Sequence, residues 1–298
     1  MRKALFILIL LAIAFAGKAQ SLGDLEAQMS TIAPSILKGE SDSVRTASNN
    51  QFILLLEKAF GMPNSFDHPF DSLKTISRLQ PDDKSFKLFT WNMPKDDGTF
   101  VYFGYVHMKD PSTGAYKFVK LIDKSSEIQS PETKALTPKN WYGTHYYKIV
   151  QTTYKKEKFY TLLGIDFNNR ATKKKIIDVI AFDRLGNVFF GDNIFEYDKK
   201  SPKRIIFEYS AQATMSLRFD DARNMIVFDH LSPIREDFTG HKDNYGPDFS
   251  YDALKFKKAK WVHLTDIDAR NIKKPVDNSK QQRPNMGLDR NAPNPNTQ

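Results

Sequence analysis

A change of period near Ile76 constrains this chain more than any other feature. Before it, apolar residues recur at helical spacing. After it they alternate, and aromatic and β-branched side chains dominate to about residue 265. Alternation puts successive side chains on opposite faces of an extended strand, so the body must be built from sheets. Phe86–Trp91 and Thr99–Val106 flank Lys95-Asp96-Asp97-Gly98, and Asp-Gly between two such runs signals a hairpin. Asp110-Pro111-Ser112-Thr113-Gly114 then turns the chain into Tyr116–Ile122. A polar, Pro-containing loop, 125–139, precedes a second group: Thr144–Thr153, Lys158–Phe167, Lys175–Asp183 and Asn187–Phe190. A third group follows: Arg204–Ala211, Thr214–Phe219, Met225–Asp229 and Lys260–Thr265. The expected fold class is mainly β, with antiparallel meanders forming a sandwich, barrel or propeller-like array. Three unequal groups are few for a closed ring, which favours a mixed β architecture with N-terminal helices.

Those helices fall in residues 20–75. Leu22, Leu25, Met29, Ile32 and Ile36 share one helical face, and Pro34 is expected to kink or end that helix near Ala33. A second helix is expected from about Asp42 to Phe60, with Gly61 as a left-handed cap and Pro63 blocking continuation. The organisation expected is therefore a leader (1–19), a helical segment (20–75), an antiparallel β domain (76–270) and a disordered tail (271–298). The tail is rich in Asn, Pro, Gln and Lys, and its few apolar side chains cannot offset the entropy of ordering it.

Arg2 and Lys3 precede thirteen apolar residues, Ala4–Ala16, and Gly17-Lys18-Ala19 places small residues at −3 and −1 of a cleavage site before Gln20. This three-part pattern is that of a secretory signal peptide. The run is short of the roughly 20 apolar residues of a spanning helix, and no later segment reaches that length, so no transmembrane span is expected after cleavage. Ala14-Phe15-Ala16 is a second candidate cleavage site. The expected location is the periplasm, the outer-membrane surface or the medium.

The chain has no cysteine. That excludes thiol catalysis, iron–sulfur clusters, cysteine-ligated zinc and lipidation on an N-terminal Cys, and it leaves core packing and hydrogen bonds to hold the exported fold together. Of the formal charge of +9, the leader and the segment from Asn271 each carry a net +3, leaving +3 on the body. Nucleic-acid binding needs charge clustered on one face, and none is expected. Lys155-Lys156, Lys173-Lys174-Lys175 and Lys257-Lys258 read as hairpin turns or exposed edges.

Most catalytic motifs are absent: there is no Gly-x-Ser-x-Gly, His-Glu-x-x-His, phosphate-binding loop or EF-hand. Ser35-Ile36-Leu37-Lys38 has the Ser-x-x-Lys spacing of penicillin-recognising enzymes but lacks the companion Lys-Thr-Gly. The densest polar cluster runs from Asp229 to Asp252, read as one long loop with Gly and Pro hinges. Its candidate ligand-binding residues are Asp229, His230, Asp237, His241, Asp243, Asp248 and Asp252. Loops on a rigid scaffold are where sites usually sit. The carboxylates and imidazoles suit three roles: a glycan or protein ligand, calcium or another divalent ion, or acid–base work on a glycan. The competing structural explanation is that Asp beside Gly, Asn and Pro makes turns, its side chain bonding backbone two residues on. No resident cofactor is expected. His107, His145 and His263 are expected to be strand residues with satisfied side chains, and His68 has no obvious partner. Trp91, Trp141 and Trp261, if exposed in a row, would stack sugar rings; the alternative is that they fill the core.

The leader ending in Ala19-Gln20 is similar to those of exported proteins of Bacteroidota. Phe89-Thr90-Trp91-Asn92, Phe159 to Gly164, Ile206 to Ala211, Met215 to Phe219, Ile226 to Pro233 and Tyr245 to Asp252 resemble a family of uncharacterised exported proteins of that phylum. The resemblance spans roughly residues 75 to 270. It implies an envelope location and brings no activity and no catalytic residues.

The expectation for function is an exported, non-enzymatic module that binds an envelope protein or a glycan. The alternative is a glycan-directed hydrolase using carboxylates of 229–252. If the leader is cleaved where the small residues place it, mass spectrometry of the mature protein will find Gln20 at its N-terminus; an intact Met1 in the cell envelope would contradict this.

Overall fold

The computed structural model describes residues 20–110 and 112–268. Helix α1 (Leu22–Lys38) opens on a capping box, with Ser21 Oγ accepting from the Asp24 amide and the Asp24 carboxylate accepting from the Ser21 amide. It runs past Pro34 to Lys38, five residues beyond its expected end. Pro34 lies on the exposed side, where water can hydrate the carbonyl it leaves unbonded. Ala33 and Ile36, on the buried side, hold the turn in place by packing. Helix α2 (Asp42–Phe60) has the expected bounds. Gly61, however, stays right-handed (φ −75°, ψ −9°), and the left-handed residue comes three positions later at Asn64 (φ 62°), a residue type that tolerates it.

The first sheet is a plain meander, β1 (Ser77–Leu79), β2 (Phe86–Pro94), β3 (Phe100–Lys109) and β4 (Tyr116–Ile122), in spatial order β1-β2-β3-β4. The expected hairpin joins β2 to β3, with Gly98 at φ +89°, a backbone region open to glycine at little cost. In the second sheet come β5 (His145–Tyr154), β6 (Glu157–Asp166), β7 (Thr172–Phe182) and β8 (Val188–Phe190). Next, β9 (Phe195–Glu196) crosses to the third sheet, and β10 (Ile205–Ser210) returns to pair with β7. The second sheet is ordered β10-β7-β6-β5, with β8 also on β7. The third adds β11 (Leu217–Asp220), β12 (Met225–Pro233), β13 (Tyr245–Lys257) and β14 (Lys260–Leu264), ordered β11-β12-β13-β14-β9, the last pair parallel.

Alternation along β2 explains how the layers stack. Phe89 and Trp91 face the helices, packing with Leu25, Met29, Phe52 and Phe60. Phe86 and Leu88 face the opposite way, into a core shared with Tyr146, Leu162 and Ile176 of the second sheet. The other face of that sheet, through Leu163, Ile177 and Phe207, meets Ile226, Phe228, Leu254 and Trp261 of the third. The order is helices, sheet, sheet, sheet: an open stack, and so sandwich-like. All three tryptophans are core residues, at most 1 % exposed. Their indole N–H groups face Asn49, the Tyr146 hydroxyl and Thr161, so no row of exposed tryptophans exists among the described residues.

Two sequence expectations fail in the strands. Lys173-Lys174-Lys175 are part of β7 rather than a turn; Lys173 donates to the Ala211 carbonyl and Lys175 sits 4.9 Å over the Tyr147 ring. Long aliphatic stems let lysines cover apolar surface in this way. More consequentially, 229–252 is not one loop. β12 continues to Pro233, β13 begins at Tyr245, and only 234–244 connects them. Gly246 and Pro247 hid β13 from a pattern search. There β13 pairs only with β12, and Pro is tolerated where a strand has one free side. The leader and the tail from residue 269 lie outside the described residues.

Histidines also depart from expectation. His68 Nε2 lies 2.6 Å from Glu26 Oε2, tying the segment after α2 to α1. The Nδ1 of His145 is buried without a partner. His107 is fully buried, and both its ring nitrogens lack a hydrogen bond. Its neighbours are the rings of Phe60, Phe66 and Tyr116. Burial, helped by the charge of Lys87, pulls its pKa down to about 4 from an ordinary 6.5. A histidine held neutral in this way supports the fold fully above pH 6.5 and withdraws that support as pH falls toward 4. The full shift corresponds to about 3 kcal/mol. In urea titrations, His107→Phe is therefore expected to gain stability over the parent progressively between pH 6.5 and 4; a constant difference across that range would refute the assignment.

At the centre of the stack, Asp178 on β7 accepts from the Tyr146 hydroxyl (2.9 Å) and the Val179 amide (2.8 Å), and pairs with Arg204 Nε (3.1 Å). Neither Asp178 nor Arg204 has any exposed surface. Removing one charge strands the other, so Asp178→Asn is expected to cost about 3–5 kcal/mol in chemical denaturation; a loss under 1 kcal/mol would show that Arg204 does not depend on it.

Candidate functional site

The β12–β13 hairpin carries the residues that the sequence pointed to, and it sorts them into two groups. Asp229 and His230 sit on β12 at a register shift between Asp229 and Leu231, and Asp252 on β13 stands opposite Phe228. These three line a cleft of about 300 Å³ together with Tyr197, Glu208, Lys242 and Tyr245. Asp248 reaches its rim, 2.7 Å from His230 Nδ1. Asp237, His241 and Asp243 lie in the 234–244 connection and do not line it. All three are exposed, and Asp237 pairs with neighbouring Arg235 at 3.0 Å.

Neighbouring strands position the cleft residues. Asp252 is 3 % exposed. Its carboxylate meets His263 Nε2 of β14 at 3.2 Å and accepts from the Asp266 amide at 3.1 Å. Burial by itself raises its pKa; those hydrogen bonds and the charge of the imidazole outweigh that and hold it below the ordinary carboxylate range. Asp248 follows the same balance, with burial opposed by Ser250 and His230. Asp229 accepts from the Ser216 amide at 2.7 Å, pinning β12 to the segment before β11. The His263 ring packs 4.4 Å from that of Tyr197. The Tyr197 hydroxyl is pushed up to about 12 by burial and by Asp252. Lys242 Nζ lies 4.0 Å over the Tyr245 ring. A second recess, about 530 Å³, shares Glu132, Tyr197 and Ile206 with the first and continues past Asp198 and Lys200.

This arrangement offers ionised acceptors, a cation, an imidazole and two tyrosine rings. Asp252 is held below the ordinary carboxylate range, the opposite of the raised pKa that a glycan-cleaving general acid needs. Among the described residues, no three His, Asp or Glu side chains converge as a metal ion would require. No described helix is long and apolar enough to cross a membrane.

Sequence reasoning missed Tyr197, His263 and Glu132. Tyr197 follows a two-residue strand that has no period to detect, and Glu132 sits in the polar 125–139 loop. His263 was visible only as one member of a strand, since its partner Asp252 is eleven residues away on the neighbouring strand. No family model, curated protein or solved structure matches the chain.

Proposed function

We propose that this chain is an exported envelope protein that binds a glycan in the cleft beside the β12–β13 hairpin, without cleaving it. The leader supports the location. The observation that carries the binding assignment is the convergence of Asp229, His230 and Asp252 on one cleft faced by Tyr197 and Tyr245. Ionised carboxylates and an imidazole are good partners for sugar hydroxyls, and tyrosine combines a flat apolar face with a polar tip. Against the hydrolase alternative stands the state of the acids: Asp248 and Asp252 are both shifted toward ionisation, and both already hold His side chains and backbone amides.

A glycan array probed with the mature protein tests this. A glycan class is expected to be retained, and Tyr197→Ala and His230→Ala are each expected to weaken it about tenfold, the equivalent of 1.4 kcal/mol. Absence of any retained glycan would overturn the assignment. So would release of reducing ends from a polysaccharide that Asp252→Asn abolishes.

A further inference from the structure

A second cleft, sharing no lining residue with the first, opens between the β2–β3 hairpin and the β6–β7 turn. It measures about 430 Å³ and is walled by Phe100, Tyr102, Asp123, Tyr142, Asp166 and Lys174. Three of its titratable side chains, Tyr102, Tyr142 and Asp166, are at most 4 % exposed, an unusual amount of buried polarity for one place.

The hydrogen bonds there are unevenly distributed. Asp123 is engaged through both oxygens: one accepts from the amide and hydroxyl of Ser125 (3.0 and 2.6 Å), the other from the Tyr102 amide (3.0 Å). Asp166 Oδ1 accepts from the Tyr102 hydroxyl (2.9 Å) and the Asn168 amide (2.7 Å). Asp166 Oδ2 has only Lys174 Nζ nearby, at 3.6 Å, beyond hydrogen-bond length. Lys174 spends two of its three donors on the Tyr142 hydroxyl (3.3 Å) and Asn168 Oδ1 (3.1 Å). The Tyr142 hydroxyl accepts that bond, and no described group accepts its own proton. The cleft thus presents one carboxylate oxygen with no hydrogen bond, Asp166 Oδ2, and two uncommitted donors, on Lys174 and Tyr142.

We propose that this cleft is a second ligand site, and that it takes a neutral monosaccharide unit. Adjacent hydroxyls both donate and accept, so one diol satisfies Asp166 Oδ2 together with Lys174 or Tyr142. A carboxylate or phosphate would meet two carboxylates, Asp123 and Asp166, against one ammonium. Phe100 and the tyrosine rings supply the apolar wall that a pyranose ring packs on. Burial raises the Asp166 carboxyl while Lys174 opposes the rise, which is the state expected of an acceptor left short of donors inside a cavity.

The test is saturation-transfer NMR and titration calorimetry on the mature protein with glucose, galactose, mannose and N-acetylglucosamine. At least one is expected to bind. Lys174→Met, which removes a charge-assisted donor, is expected to weaken that binding about tenfold or more, and Tyr142→Phe about threefold. Leu185→Ala, exposed and outside both clefts, should leave it unchanged, and melting temperatures of all the variants check that they fold. Failure of every sugar to bind overturns the proposal, as does binding that survives both Lys174→Met and Tyr142→Phe. Binding lost only in Tyr197→Ala upholds the hairpin cleft and discards this one. Glycine binding in place of a sugar, lost in Lys174→Met, also overturns it by identifying a zwitterion site.

Discussion

The second sheet is covered on both faces, and this shapes the rest of the molecule. A strand buried on both sides must be apolar at nearly every position. Ile176, Ile177, Val179 and Ile180 of β7 meet that demand, each at most 2 % exposed. Asp178 interrupts them, and a carboxylate there is sustainable only because Arg204, Tyr146 and a backbone amide converge on it. Arg204 also donates to the Pro131 and Lys134 carbonyls. The pair therefore fastens β10 and the 131–134 segment to the middle sheet. The same segment contributes Glu132, and β10 contributes Glu208, to the cleft beside the hairpin. The geometry of that cleft thus rests on a charge pair outside it.

Much of this was legible from residues alone where period and punctuation agreed. α2 has Gly61 and Pro63 after it, and its end follows. The β2–β3 hairpin has Asp97-Gly98 at its turn. Where punctuation and tertiary context disagree, context decides. Pro34 lies within the helix because Ala33 and Ile36 on its buried side are packed, and β13 begins at Tyr245 despite Gly246 and Pro247. The candidate site was half legible for the same reason. Asp229, His230 and Asp252 were found as members of a polar cluster, but so were Asp237, His241 and Asp243, which lie in the 234–244 connection and do not line the cleft. Nothing local distinguishes the two sets; the pairing of β12 with β13 does. The second cleft was invisible, because Asp123, Tyr142, Asp166 and Lys174 come from four separate segments, and Lys174 was concealed in what looked like a basic turn.

Both clefts share a chemical economy. Their carboxylates are first of all structural: Asp252 holds β14 and the segment after it, Asp229 holds the approach to β11, and Asp123 and Asp166 organise the ends of β3, β4 and β6. What each cleft offers a ligand is the remaining hydrogen-bonding capacity of groups that the fold already fixes. Such a surface is stiff before anything binds, which lowers the entropic cost of recognition.

The layers also follow the chain in order: helices within 22–60, then sheets that draw on 77–122, 145–210 and 195–264. Almost every strand pairs with one close to it in sequence, β9 with β14 being the main exception. Contacts of this kind close short loops and form quickly. A polypeptide that emerges N-terminus first completes each slab, and covers the previous one, as successive segments appear. Without disulfides to lock intermediates, that sequential closure keeps little greasy surface exposed at any moment.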